Sequence, residues 1–497
     1  MNREVFLGEN PIRTAPNPVL GNIVDLDGEK FYRITNYDAM SPFFMTIVSD
    51  SDHWMFISSN GGLTCGRRNP ENALFPYYTD DKIHDASATT GPLCILLIER
   101  DGSIHLWEPY STGFPDICQV ERNLYKSTAG NQLIFEAINH TLRIKYRYSW
   151  QNSDRFGFVK RSGVTNLGTG KTTIEFIDGI RNILPYGVST VLQSNMSTLV
   201  DGYKKCELHE PTGLGIYTLS SILTDKAEPS EALKATTVWA AGLKNPRYLL
   251  SENQIKAFRE GIIPHNEKVL KGKKGAYLVY DQLGLQPGEC HEWMMVADVS
   301  QGPSDVPATI SKLRSDQLMK DVLEDVHKGT QRLIKLVGLA DGIQQTGNTL
   351  KSARHFSNTL FNIMRGGVFP NGYGVQVKDF SEFIQHWNRK VYQRNLGFIS
   401  GLSDEFVDYR ELLSYAGEHH DDDFLRLVHE YLPLTFSRRH GDPSRPWNRF
   451  SIDVKTVTGE QSFSYQGNWR DIFQNWEALS ISFPGFIESF IFKFVDA

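Results

Sequence analysis

The chain has 497 residues, 40% of them hydrophobic and 22% charged, and a net charge of −6. That length allows two or three domains, each able to bury a full core. The mildly acidic balance gives no basis for a nucleic-acid or anionic-membrane partner, since both need a basic surface. Cys65, Cys94, Cys118, Cys206 and Cys290 form no CxxC pair and are odd in number, so reduced, structural thiols are expected. The opening MNREVFLGENPIRT lacks the apolar core of a signal peptide, and no stretch approaches the ~18 apolar residues of a membrane span. A cytoplasmic protein is the resulting expectation. Phe, Tyr and Trp make up 12% of the chain; most such side chains fill cores, and exposed ones offer flat faces to sugar rings.

Residues 30–300 read as strands. Phe31 to Thr35, Phe43 to Val48, Trp54 to Ser58, Pro92 to Glu99, Ile104 to Trp107, Gln132 to Ile138 and Leu142 to Trp150 are rich in β-branched and aromatic residues. Turn signals separate them: Asp27-Gly28, Asn60-Gly61-Gly62 and Asp101-Gly102, the last inside a hairpin over 97–109. Short helical signals near 184–192 and 251–260 read as excursions, and 275–298 is again β. This order predicts a large N-terminal antiparallel β-sandwich over 1–304. The period changes near Pro307, where Ile310, Leu313, Leu318, Val322, Leu323 and Val326 fall at helical spacing. A helical linker is expected over 305–345. From 346 the pattern is helical, at 352–364, 379–394, 404–416, 421–432 and 468–480. The last predicted helix, FIESFIFKFVDA, leaves little polar surface and is expected to be buried on several sides. A chain truncated within its helical domain would explain that.

Several motifs invite a functional reading. NLGTGKTT (166–173) imitates a phosphate loop, but Thr165 stands where the first glycine is required. The following TTIEFIDGI alternates like a strand, whereas phosphate binding needs a helix N-terminus; a hairpin loop is expected. TDDKIHD (79–85) and EHHDDD (418–423) imitate metal sites without fixing convergent ligands, and the second reads as an acidic helix start. SRRHGDPSRPWNR (437–449) gathers Arg438, Arg439, His440, Arg445 and Arg449 in a loop suited to phosphate or an oligosaccharide, or simply to solvent. GNWRDIFQNWEAL (467–479), read as a helix opening near Asn468, puts Trp469, Ile472, Phe473, Trp476 and Leu479 on one apolar face. Arg470, Asp471, Gln474, Asn475 and Glu477 fall elsewhere. An Arg-Asp pair with amides and Trp can grip vicinal sugar hydroxyls, which want donors and acceptors in a fixed fork; the same segment also reads as a core helix whose ion pair only caps or bridges.

SSNGGLTCGRRNPENALFPYYTDD (58–81), DRFGFVKRSGVTNLG (154–168), IDGIRNILPYGV (177–188), LQPGECHEW (285–293), HFSNTLFNIMRGGVF (355–369) and GNWRDIFQNWEAL together resemble the cellobiose phosphorylase group of inverting β-glucoside phosphorylases. The resemblance implies an N-terminal β-sandwich, a helical linker and an (α/α)6 toroid, here incomplete. It further implies that Arg470 and Asp471, with Trp469, Gln474 and Glu477 beside them, bind the substrate glucosyl unit. The group's second Asp is replaced by Asn475. About a hundred residues separate 355–369 from the Arg-Asp pattern, more than in short-disaccharide phosphorylases, which suggests a relative acting on β-linked oligoglucans.

The implied chemistry needs inorganic phosphate as co-substrate and no cofactor or metal. An inverting glycosidase uses one carboxylic acid on the leaving oxygen and a second carboxylate to activate water. Phosphate is already an anion, so one acid and a cationic site suffice. The resemblance orders that acid and most of the phosphate site after the Arg-Asp pattern, beyond Ala497, and implies a homodimer. The isolated chain is therefore expected to be inactive. A hydrolase on the same toroid and a non-catalytic sugar-binding protein are the alternatives.

Overall fold

The computed structural model describes residues 4–12, 18–111, 117–223, 233–402, 405–439, 443–444, 451–456 and 459–495. Two compact units emerge, Met1–Thr330 with Asp442–Trp447, and Gln331–Gly441 with Asn448–Ala497.

The first unit is an antiparallel β-sandwich of an 11-stranded and a 5-stranded sheet. In the larger sheet, strand Gly157–Asn166 lies between Ile144–Ser153 and Cys290–Gln301. In the smaller one, Thr172–Ile183 lies between Gly91–Arg100 and Gly275–Leu285. The period of two assigns the faces. Ile144, Tyr146, Tyr148 and Trp150 from the large sheet meet Ile174, Phe176 and Ile180 from the small one in a shared core. Phe176 and Trp293 stack across the layers with centroids 4.5 Å apart, and burial of each such side chain stabilises by about 1.5–3 kcal/mol. Ile177, of opposite parity, joins Ile95, Leu278 and Phe258 on the outer side of the small sheet.

The same parity carries two charged residues into the core. Lys160 and Asp178 are 1% and 0% exposed, and Lys160 Nζ lies 2.7 Å from both Asp178 oxygens. Asp178 also accepts from Tyr146 Oη at 2.7 Å, Ser162 Oγ at 2.9 Å and Trp293 Nε1 at 2.8 Å. A buried charge is tolerated only with this degree of satisfaction.

A second buried carboxylate gives a pH prediction. Glu136 accepts from Arg147 Nη2 at 2.6 Å, Tyr125 Oη at 2.7 Å and Asn123 Nδ2 at 3.1 Å. Burial pushes its carboxyl up, but the Arg147 guanidinium and these hydrogen bonds outweigh it and hold the group below its ordinary range. A depressed carboxylate contributes stability above the unfolded-state pKa and loses it as pH falls through the folded one. Glu136→Gln should therefore cost about 2 kcal/mol at pH 7. In urea titrations across pH, the gap from wild type should close below the ordinary Glu range; a pH-independent gap would refute the assignment.

Turn chemistry follows expectation at Asp27-Gly28 and Asp101-Gly102, where all four residues have positive φ and the second joins strands paired from Arg100↔Ser103. Other readings need correction. NLGTGKTT is not a hairpin loop: the strand before it belongs to the large sheet and the strand after it to the small one. Asn166 organises this crossing, donating to Gly170 O and Leu285 O and accepting from Gly168 N. The helical linker expected over 305–345 holds two helices, Asp305–Lys312 and Leu318–Leu339. Leu318, Val322 and Val326 pack against Trp239, Met294 and Val296.

The second unit is mainly helical, with helices at Thr349–Gly366, Val377–Trp387, Arg389–Arg394, Leu396–Gly401, Tyr409–Glu418, Asp422–Glu430, Ile472–Ser482 and Ile487–Val495. A short ribbon, Gly374–Gln376 with Phe406–Asp408, interrupts the expected all-helical pattern. In the last helix Ser489 and Phe490 are buried, while Ile487, Ile491, Phe494 and Val495 are exposed. Its expected burial on several sides is thus not met within this chain. No described helix is long and apolar enough to cross a membrane.

Candidate functional site

The candidate sugar site is built where the Thr349–Gly366 helix ends against the Ile472–Ser482 helix. Ile472, Asn475, Trp476 and Leu479 recur at helical spacing and are buried. Trp476 Nε1 donates to Gly366 O at 2.8 Å, and Asn475 Nδ2 to Asn362 Oδ1 at 3.1 Å. Tyr465, Phe473 and Phe490 surround the Trp476 ring with centroids 5.1–5.3 Å away. Glycine permits the approach: a Cβ on Gly467 would sit 2.5 Å from Ile472 Cδ1 and 3.0 Å from Arg365 O.

The helix opens later than the sequence suggested. Asn468 O accepts from Asp471 N and Ile472 N at 2.9 Å, so 468–471 form a turn and helix begins at Ile472. Asp471 occupies the N-cap position, yet its side chain makes no capping bond. Its carboxylate turns to Arg470 instead, with Nε–Oδ1 at 3.0 Å and Nη2–Oδ2 at 3.4 Å. The Arg470 side chain is 76% exposed, so the pair stands at the surface and not in a sealed core. Trp469, expected on the apolar face, is 45% exposed and meets Phe473 edge-on at 5.1 Å. Gln474 and Glu477 are exposed on the outer side of the helix. Asn475, expected among the outward polar residues, is instead a buried tie between two helices.

Two further arginines are anchored to the same helix end. Arg365 belongs to the last turn of Thr349–Gly366, its guanidinium 3.9 Å from the Phe361 centroid. Arg438 N donates to Met364 O at 2.8 Å, and Ser437 Oγ to Arg365 O at 2.9 Å. Sequence reasoning passed over Arg365; its signal was the adjacent Gly366-Gly367, which lets neighbouring segments close on that end. Arg439 is exposed and tied through its backbone to Ser451, while His440, Arg445 and Arg449 lie outside the described residues.

The imitated metal sites have other occupations. His84 Nδ1 lies 2.7 Å from Ser58 Oγ, and Asp81 accepts from Thr79 Oγ1 at 2.6 Å. Asp421 caps the Asp422–Glu430 helix by accepting from Phe424 N, and Arg394 pairs with both Asp421 and Asp423. Among the described residues no group of three or more His, Cys, Asp or Glu side chains is placed to hold a metal ion.

Residues 369–433 match the family model described as glycoside hydrolase family 149 insertion domain 1. They fall inside the long interval between 355–369 and the Arg-Asp pattern. The match connects the chain with carbohydrate-active enzymes, glycoside phosphorylases or hydrolases, without singling out the cellobiose phosphorylase group. No curated protein matches. Among solved structures, a bacterial glucoamylase complexed with acarbose is similar at 10% identity over 94% of this chain and 59% of its own, TM-score 0.38. A protein assigned as a kojibiose phosphorylase from the human microbiome is similar at 10% identity over 68% and 38%, TM-score 0.30. A polysaccharide lyase is similar at 10% identity over 53% and 34%, TM-score 0.31. The chain thus spans 34% of the lyase and 59% of the glucoamylase.

Proposed function

We propose that this chain is part of an inverting glycoside phosphorylase, which cleaves β-linked glucosides or oligoglucans with inorganic phosphate to give a sugar 1-phosphate. The observation that carries the reading is the insertion-domain match at 369–433, lying between the Arg365 helix end and the Arg470 turn. In this reading Arg470 donates to, and Asp471 accepts from, adjacent hydroxyls of the glucosyl unit that is transferred. Each partner satisfies the other until a diol displaces it, and an exposed ion pair is worth only ~0–1 kcal/mol. Trp469 supplies a flat face, with Gln474 and Glu477 reaching further hydroxyls. Arg365 and Arg438 contribute positive charge toward phosphate.

Phosphate attacks C1 opposite the leaving oxygen, which a carboxylic acid protonates, so configuration inverts and no base is required. By resemblance that acid follows the Arg-Asp pattern in sequence. Full-length enzyme given β-glucan and phosphate should release α-configured glucose 1-phosphate, and omitting phosphate should abolish release. Equal release of free glucose without phosphate would instead identify a hydrolase, and measurable oligosaccharide affinity without turnover a binding protein.

A further inference from the structure

Each main sheet of the sandwich ends in two edge strands, and an edge carries a row of outward-facing backbone N–H and C=O groups. Sheets that stay solitary blunt such edges with charge, brevity or a covering segment. Three of the four edges are treated this way. Leu20–Leu26 carries an exposed Asp25 and a glycine, Gly21. Val269–Lys271 has only three residues and ends in an exposed lysine. Arg247–Leu249 is bonded by the segment that follows it, with Glu267 N donating to Tyr248 O and Tyr248 N to Asn266 Oδ1.

Ser103–Trp107, the other edge of the smaller sheet, has none of these devices. It presents Ile104 at 64% and Leu106 at 47% exposure. Among the described residues, no backbone group of 103–107 bonds beyond the neighbouring strand Gly91–Arg100. The hairpin fixes which of these groups look outward. Asp101 and Gly102 form a two-residue turn with φ of 50° and 77°, so Arg100↔Ser103 is a hydrogen-bonded pair. Bonded pairs then recur at Ile98↔His105 and Leu96↔Trp107. The N–H and C=O of Ile104 and Leu106 therefore point away from the sheet.

This edge is complementary to itself. A second copy related by a two-fold axis at His105 brings Ile104 opposite Leu106 on both sides of the axis. Each of the two pairs exchanges two N–H···O=C bonds and sets one exposed apolar side chain beside another. Charge agrees with the register. Asp101 of the second copy, exposed at its turn, comes opposite Pro109, beside Glu108 and the Arg259 guanidinium bonded to it at 2.6 and 3.0 Å. We infer that Ser103–Trp107 is a self-association edge, where two copies of this chain pair antiparallel about His105 and join their five-stranded sheets. The interface stands independently of the proposed transfer chemistry.

Sedimentation velocity of the 497-residue chain over a concentration series should show a monomer–dimer equilibrium in the micromolar range. Leu106→Pro deletes one outward N–H and no bond of the hairpin ladder, a place where an edge strand tolerates proline. It should weaken the dimer about tenfold or more. Ile104→Lys should do the same through charge without lowering the melting temperature, because the side chain is exposed. The register has its own test. Residues facing each other in a non-hydrogen-bonded antiparallel pair have Cα atoms about 4.5 Å apart, inside the ~4.4–6.8 Å range of disulfides. His105→Cys should therefore cross-link to its own copy on oxidation with diamide, under conditions that leave wild type uncross-linked. A chain that stays monomeric, a dimer that both edge variants leave intact, or a His105→Cys protein that fails to cross-link would overturn the inference.

Discussion

Replacing Arg470 with Ala in the full-length enzyme should lower kcat/KM for phosphorolysis of a β-glucan by about 100- to 1,000-fold. The melting temperature should barely change. The side chain is 76% exposed and, among the described residues, bonds only the adjacent Asp471, so its removal strands no buried group, and surface substitutions of that kind usually stay within ~0.5 kcal/mol. Arg470→Lys keeps the charge but loses the planar fork, so it should recover part of the lost rate and not all of it. Asp471→Asn should raise KM and lower kcat together, because in the proposed site the carboxylate accepts from the sugar while it also steers the guanidinium. If Arg470→Ala retains full kcat/KM, the pair is an ornament of the helix start and the sugar-binding assignment fails.

Lys160→Met should have the largest effect on stability, a loss of about 3–5 kcal/mol in urea titrations. The substitution leaves Asp178, 0% exposed, without its cation inside the sandwich. Three neutral donors remain, from Tyr146, Ser162 and Trp293, and they cannot replace a charge-assisted pair. Removing both charges in Lys160→Met with Asp178→Leu should restore part of the loss, since a packed apolar pair avoids desolvation. Equal destabilisation by the single and double variants would show that volume, not charge, governs this part of the core.

Local chemistry was legible wherever it acted locally. Asp101-Gly102 fixed a hairpin, and the Asp421–Asp423 run fixed a helix start because its carboxylates serve the first turn. Allegiance over distance was not legible. Thr172–Ile183 alternates like a strand whichever sheet it joins, so nothing in 166–173 says that the chain changes layers there. Asn475 looks like a surface residue by composition; only the Thr349–Gly366 helix, which brings Asn362 to it, makes it an interior tie. At the candidate site the Arg470–Asp471 pair was visible as a motif. Its exposure was not, because that depends on where the 468–471 turn gives way to helix.

The pairing of Gly157–Asn166 with Cys290–Gln301 sets a condition on biosynthesis. The large sheet cannot be completed until both segments have left the ribosome, so for well over a hundred residues of translation the strand edge at 157–166 waits uncovered. Non-local pairings of this kind fold slowly and invite mispairing with other nascent chains. Slower elongation through that interval, or a chaperone that shields the waiting edge, should raise the yield of soluble protein.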